Sequence, residues 1–142
     1  MPTGFEKHVD VVVCGGGVAG AAAALESARQ GMRTAFIEKT VWPGGLATTG
    51  LVNIYLPLCD GRGHQVIFGI AEEFLWDSIR YGPGDVPANW SEGSGPRFRT
   101  LFAPGSFILA LDETLTEAGV ELWYDTLVSD VIRDGDDILG VE

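Results

Sequence analysis

The chain has 142 residues, 46% of them hydrophobic, which is enough for one domain with its own core and too apolar for a disordered segment. Nine basic residues against 20 acidic ones leave a formal net charge of −11, which argues against nucleic acid and against anionic membranes as partners. In such a field a phosphate has to be held locally, by backbone N–H groups at a helix N-terminus.

The N-terminal stretch MPTGFEKHVD lacks the layout of a signal peptide, and no apolar run reaches the roughly 20 residues of a membrane span, so a soluble cytoplasmic protein is expected. Val9 to Val13 is a continuous β-branched run that reads as a strand buried on both faces of a parallel sheet. From Val18 to Gln30 the chain is alanine-rich and predicts a helix, with Gly31 at the position of a C′ glycine. Arg33 to Glu38 returns to strand character, which completes a βαβ unit.

Residues 40–63 are rich in Gly, Pro and Thr and read as irregular, apart from the apolar stretch Leu51 to Leu58. Ile67, Ile70, Ala71, Phe74, Leu75 and Ser78 follow helical spacing and predict a second helix from about Gln65 to Arg80. Gly82 to Pro104 is a proline-rich long loop carrying Trp90, Arg97 and Arg99. Phe107, Leu111, Leu115 and Ala118 predict a third helix ended by Gly119. Val120 to Tyr124 is a strand candidate, and Val128 to Ile132 with Ile138 to Val141 form a hairpin around the turn at Asp134 to Asp137.

The chemistry concentrates at Gly15-Gly16-Gly17-Val18-Ala19-Gly20, a G-x-G-x-x-G placed between the first strand and the first helix. Gly15 permits the sharp turn, Gly17 lets the backbone approach a pyrophosphate, and Gly20 allows close packing of the helix. A glycine-rich turn without a ligand is the simpler explanation for an isolated match, but here the motif is followed, about 20 residues on, by Glu38 at the end of the next strand. A carboxylate there accepts hydrogen bonds from ribose hydroxyls and repels a 2′-phosphate, which makes NADP the least suitable dinucleotide. FAD and NAD share the ADP half, so strand, turn and Glu38 leave both open. The second glycine-rich stretch, Gly44-Gly45-Leu46-Ala47-Thr48-Thr49-Gly50, suits an extended ligand and favours FAD.

Other candidates read as structural. His8 and His64 have no partner in the sequence pattern, and Cys14 and Cys59 have neither metal nor redox spacing. Asp134, Asp136 and Asp137 lack the spacing of a calcium loop, so no metal is expected. Arg97 and Arg99 read as solvated or paired with surplus carboxylates, and the tryptophans as packing residues, with Trp42 the one closest to the cofactor loop.

The segments DVVVCGGGVAGAAAALESARQGMRTAFIEK and GGLATTG resemble the N-terminus of FAD-dependent oxidoreductases of the glutathione-reductase-like superfamily, and FAPGSFILALDETLTEAGVELWYDTLVSDVIRDGDDILGVE resembles the same group's helix, third strand and hairpin. The resemblance implies an α/β, three-layer Rossmann-like FAD-binding fold with a parallel sheet and a β-hairpin or meander. It implies FAD as the cofactor, with Gly15, Gly17 and Gly20 lining the pyrophosphate, Glu38 binding the adenosine ribose, Gly44, Gly45 and Thr48 approaching the pyrophosphate or the flavin side, the backbone of Val128 at the adenine, and Val18, Ala19 and Lys39 as further cofactor-binding positions. Two positions depart from the family pattern: Cys14 replaces an aliphatic residue in the strand, and Gly105 stands where an acidic residue is common.

The expected organisation is a βαβ unit over residues 1–39, a cofactor loop, helix and irregular insertion over 40–104, and a helix, strand and hairpin over 105–142. The family's later Gly-Asp segment and its substrate domain have no counterpart, so the chain reads as the N-terminal part of a flavin-dependent oxidoreductase acting on a small-molecule substrate, inactive and weak in FAD retention by itself. No catalytic residue is named. An open sheet edge would favour a homo-oligomer. The alternatives are an NAD-binding dehydrogenase or regulatory Rossmann module, and a fragment without activity.

Overall fold

The computed structural model describes residues 6–62, 64–83 and 99–142. In chain order the elements are β1 (Val11–Cys14), α1 (Val18–Arg29), β2 (Thr34–Ile37), a single 3-10 turn (Gly45–Ala47), β3 (Ile54–Tyr55) and α2 (Ile70–Ile79). They continue with β4 (Thr100–Leu101), α3 (Pro104–Glu117), β5 (Glu121–Trp123), β6 (Val131–Asp134) and β7 (Asp137–Val141). The fold is α/β, as the sequence and the resemblance imply.

The main sheet is parallel with order β1-β2-β5, so β2 is its central strand. Val11 lies opposite Thr34 and Cys14 opposite Ile37, and on the other side Ala35 lies opposite Glu121 and Ile37 opposite Trp123. This register brings the C-terminal ends of β1 and β2 together, the end of a parallel sheet where ligands bind in open α/β folds. The helix stops follow the predicted chemistry: Gly31 takes φ +85° and Gly119 φ +83°, a conformation open to glycine at little cost. The N–H groups of Met32 and Val120 then reach back to the carbonyls of Ser27 and Leu115 at 3.1 and 3.0 Å.

The core forms where α1, α2 and α3 meet β2. Ala21, Ala24 and Leu25 of α1, Phe36 of β2, Phe74 of α2 and Phe107, Leu111 and Leu115 of α3 make one buried cluster. Each large side chain fully withdrawn from water contributes about 1.5–3 kcal/mol of hydrophobic stabilisation. Edge-on ring contacts run through it: Tyr55 on Phe102 with centroids 6.5 Å apart, Phe102 on Phe107 at 5.5 Å, and Phe107 on Phe74 at 6.0 Å. That chain of rings ties the small β3-β4 ribbon to α3 and α2.

The structure departs from the sequence expectations at four places. The second helix starts at Ile70 rather than Gln65, because Gly69 takes φ +71° and the N–H groups of Val66 and Ile67 turn back to the Leu58 carbonyl at 2.9 and 3.1 Å. The apolar stretch at Leu51 to Leu58 contains β3, paired antiparallel with β4 from the far side of the long loop, Ile54 opposite Leu101. Trp90 and Arg97 of that loop lie outside the described residues, and Arg99 is exposed. The expected hairpin forms, closing at Asp134 opposite Asp137, but its first strand starts at Val131 rather than Val128 and carries a bulge between Ile132 and Arg133.

The fourth concerns β1, which is not buried on both faces: Val12 is 37% exposed and Cys14 is exposed. Among the described residues β1 has β2 as its one sheet partner, so it sits at an edge. The Cys14 departure is therefore a change at an exposed strand end and not a change of core volume.

Candidate functional site

The turn between β1 and α1 is built by its glycines. Gly15 leaves the strand with φ +107°, where a side chain would be strained. A Cβ on Gly20 would lie 2.0 Å from the Gly15 carbonyl oxygen and 3.4 Å from Val13 Cγ1, so this glycine packs the helix against the turn more than against the sheet. Gly17 differs from both. It is the N-cap of α1 with extended backbone at φ −66° and ψ 173°, and a Cβ there would meet nothing within 4 Å. Its absent side chain thus serves no contact within the chain; it leaves open space over the helix N-terminus.

No side chain caps α1, and its first turn carries no acidic residue. The first intrahelical bond runs from the Ala21 N–H to the Gly17 carbonyl at 2.9 Å, which leaves the N–H groups of Val18, Ala19 and Gly20 ahead of the ladder. Val18 and Ala19 are exposed. Uncapped N–H groups and the positive end of the helix dipole suit a phosphate there.

Glu38 follows β2 directly and is 7% exposed. Its Oε2 accepts the Gly16 N–H at 2.5 Å and its Oε1 accepts the Thr40 N–H at 2.7 Å. Burial pushes the Glu38 carboxyl up, but hydrogen bonds from Thr40 and Gly16 and the charge of Lys39 outweigh it and hold the group below its ordinary range. A carboxylate has about four acceptor positions, so two remain for hydroxyl donors.

The second glycine-rich stretch comes directly against the first. The Gly44 N–H donates to the Gly16 carbonyl at 2.7 Å, and Gly17 and Gly44 form a parallel bridge. A Cβ on Gly45 would lie 3.0 Å from Gly17 Cα, and one on Gly44 2.4 Å from Thr48 Cγ2. Thr48 is 2% exposed and donates its hydroxyl to the Pro43 carbonyl at 2.6 Å, so it braces the loop from inside. Trp42 donates its indole N–H to the Thr49 hydroxyl at 3.1 Å.

The segment bearing Val128 is fixed beside Glu38, since the Thr126 N–H donates to the Glu38 carbonyl at 3.1 Å and the Asp125 N–H to the Thr40 carbonyl at 3.0 Å. Lys39 is exposed next to the carboxylate. The structure therefore gathers Gly15, Gly17, Val18, Ala19, Gly20, Glu38, Gly44 and Gly45 at one end of the sheet. Gly16 and Thr40 join them unforeseen; the available signal was a third glycine where the fingerprint requires two.

His64 is elsewhere, on an exposed turn where its Nδ1 lies 3.2 Å from Asp60 Oδ2. Gly105 is exposed on the first turn of α3. A recess of about 320 Å³ at the opposite end of α1 is lined by Arg29, Glu73, Asp77, Arg80 and Thr114, with Arg29 and Glu73 paired to one another. Among the described residues no cluster could hold a metal ion, and no helix is long and apolar enough to cross a membrane.

Residues 10–142 match the model of a family described as FAD dependent oxidoreductase. Solved structures share the fold. Thermovibrio ammonificans THI4 is 20% identical, with a TM-score of 0.60 over 94% of this chain and 46% of its own. L-proline dehydrogenase from P. horikoshii is 17% identical, with a TM-score of 0.63 over 96% of this chain and 49% of its own. The probable FAD-dependent monooxygenase pqsL from Pseudomonas aeruginosa is 24% identical, with a TM-score of 0.61 over 95% of this chain and 38% of its own. The chain thus spans less than half the length of each. No curated protein matches it.

Proposed function

Because the chain belongs to the FAD dependent oxidoreductase family, we propose that it supplies the ADP-binding half of the FAD site in a longer oxidoreductase acting on a small molecule. The open space over Gly17 at the uncapped start of α1 carries this reading, since a Cβ on this extended residue would meet nothing within 4 Å and the chain's own packing does not require a glycine there. The pyrophosphate would lie on the N–H groups of Val18, Ala19 and Gly20, and the adenosine ribose on the two remaining acceptor positions of Glu38.

Gly44 and Gly45, locked onto the first turn, would carry the chain past the pyrophosphate towards the flavin, with Thr48 holding the loop's shape. Lys39 and the Val128 backbone would flank the adenosine. The donor set fits the group: neutral N–H donors for a diphosphate in a chain whose net charge of −11 repels anions, and an ionised carboxylate for a diol. Bound there, FAD supplies hydride or electron transfer. The protein's part at this end is to bind and orient the cofactor, and the reading assigns no proton transfer to any residue.

The visible spectrum of the intact protein that carries this chain, purified with FAD present, tests the proposal. Flavin absorption that persists through gel filtration is expected. A colourless protein that takes up NAD but not FAD would replace the reading with that of a nicotinamide-dependent enzyme.

A further inference from the structure

Gly16 is the position that the dinucleotide fingerprint leaves unspecified, yet in this chain it makes more contacts than the glycines on either side. Its N–H donates to Glu38 Oε2 at 2.5 Å, and its carbonyl accepts the Gly44 N–H at 2.7 Å. One residue thus touches the carboxylate at the end of β2 with one peptide and the second glycine loop with the other. A Cβ at this position would lie 2.7 Å from Glu38 Cβ and 2.8 Å from both its Cγ and its Oε2, so the approach requires glycine for reasons of space and not of backbone angle.

We infer that Gly16 is a positioning residue that couples the two halves of the site, its N–H aiming the Glu38 carboxylate at the ribose and its carbonyl holding the Gly44 loop against the pyrophosphate turn. The part concerning the ribose rests on the reading of Glu38 given above; the part concerning the loop stands on the geometry alone. A carboxylate with one oxygen on Gly16 and the other on Thr40 cannot rotate freely, so its outward lone pairs are set before a ligand arrives. Charge-assisted bonds of this kind are shorter and stronger than neutral ones. Displacing the Gly16 peptide therefore shifts both the carboxylate and Gly44.

Two measurements on the intact protein test this. In the first, the flavin-free protein is titrated calorimetrically with ADP and with 2′-deoxy-ADP. The wild type is expected to prefer ADP by about tenfold or more, the scale of one hydrogen bond to a charged group. Gly16→Ala is expected to bring that preference to about twofold or less, and Glu38→Ala is expected to do the same by removing the acceptor. A Gly16→Ala protein that keeps the wild-type preference overturns the positioning role, whereas a wild type that binds neither nucleotide overturns the reading of the site instead.

The second measurement needs no ligand and does not depend on Gly16→Ala folding. Amide hydrogen exchange is compared in wild type and Glu38→Ala, with Phe36 in the central strand as the internal control. Loss of the acceptor is expected to speed exchange at Gly16 and also at Gly44, by about tenfold each, with Phe36 unchanged. A Gly44 amide that exchanges at the wild-type rate overturns the coupling.

Discussion

Single residues in the β1-α1 turn separate glycines that the chain's own packing requires from Gly17, whose side-chain space is empty. Gly20→Ala would place a Cβ 2.0 Å from a backbone oxygen, a clash that no rotamer can relieve. A loss of about 3 kcal/mol or more is expected, measured by urea unfolding. Acid stability has its own marker in Asp10, whose carboxylate grips the Arg33 guanidinium and backbone N–H and is held down to about 2 by those bonds. A depressed folded pKa means that its contribution is fully present above the ordinary 3.8 and disappears as the pH falls through about 2. Melting midpoints of wild type and Asp10→Asn should therefore differ at pH 5 and converge towards pH 2; a constant gap would contradict this. The positions of Gly15, Gly17, Gly20 and Glu38 at one end of the sheet were legible from spacing because the fingerprint records what a tight strand-to-helix turn demands of the backbone locally. Gly16 was not, since its role comes from a carboxylate carried by the neighbouring strand, and neither was Thr40, whose backbone N–H two residues after Glu38 is marked by no side-chain signal.

Among the elements, those with local causes matched their sequence signals. α1 has alanine for its body and Gly31 for its stop, and α3 has apolar residues at helical spacing with Gly119 after them. Long-range pairing was invisible in the same sequence. β3 and β4 are two residues each and pair across a long stretch of sequence that includes α2, so neither carries a periodic pattern. The start of α2 was misread because Ile67 continues the helical spacing while Gly69, with φ +71°, breaks the helix. Phe107 is the element-scale test of the core: it is fully buried and meets the rings of both Phe74 and Phe102. Phe107→Ala should cost about 3–5 kcal/mol in denaturant unfolding. A cost under 1 kcal/mol, on the order of an exposed substitution, would show that α3 does not close the core.

Over the whole molecule, the functional end of the sheet and its open edge lie on the same strand. Among the described residues β1 pairs on one side only, and its Val12 is 37% exposed. The isolated 142-residue chain is expected to self-associate through such an edge, its mass by light scattering rising with concentration; a constant monomer would count against that. The solved neighbours named above are each more than twice as long as the segment that aligns with this chain. On the proposed function this chain supplies the ADP half of the site, and Gly17 is the residue on which that proposal turns. Its side-chain space is empty and its backbone suits any residue, so Gly17→Ala should leave the melting midpoint of the flavin-free protein unchanged. FAD affinity, measured by fluorescence quenching in the intact protein, should fall by about tenfold or more as the methyl group takes the place of the pyrophosphate. Wild-type FAD affinity in Gly17→Ala would contradict the account.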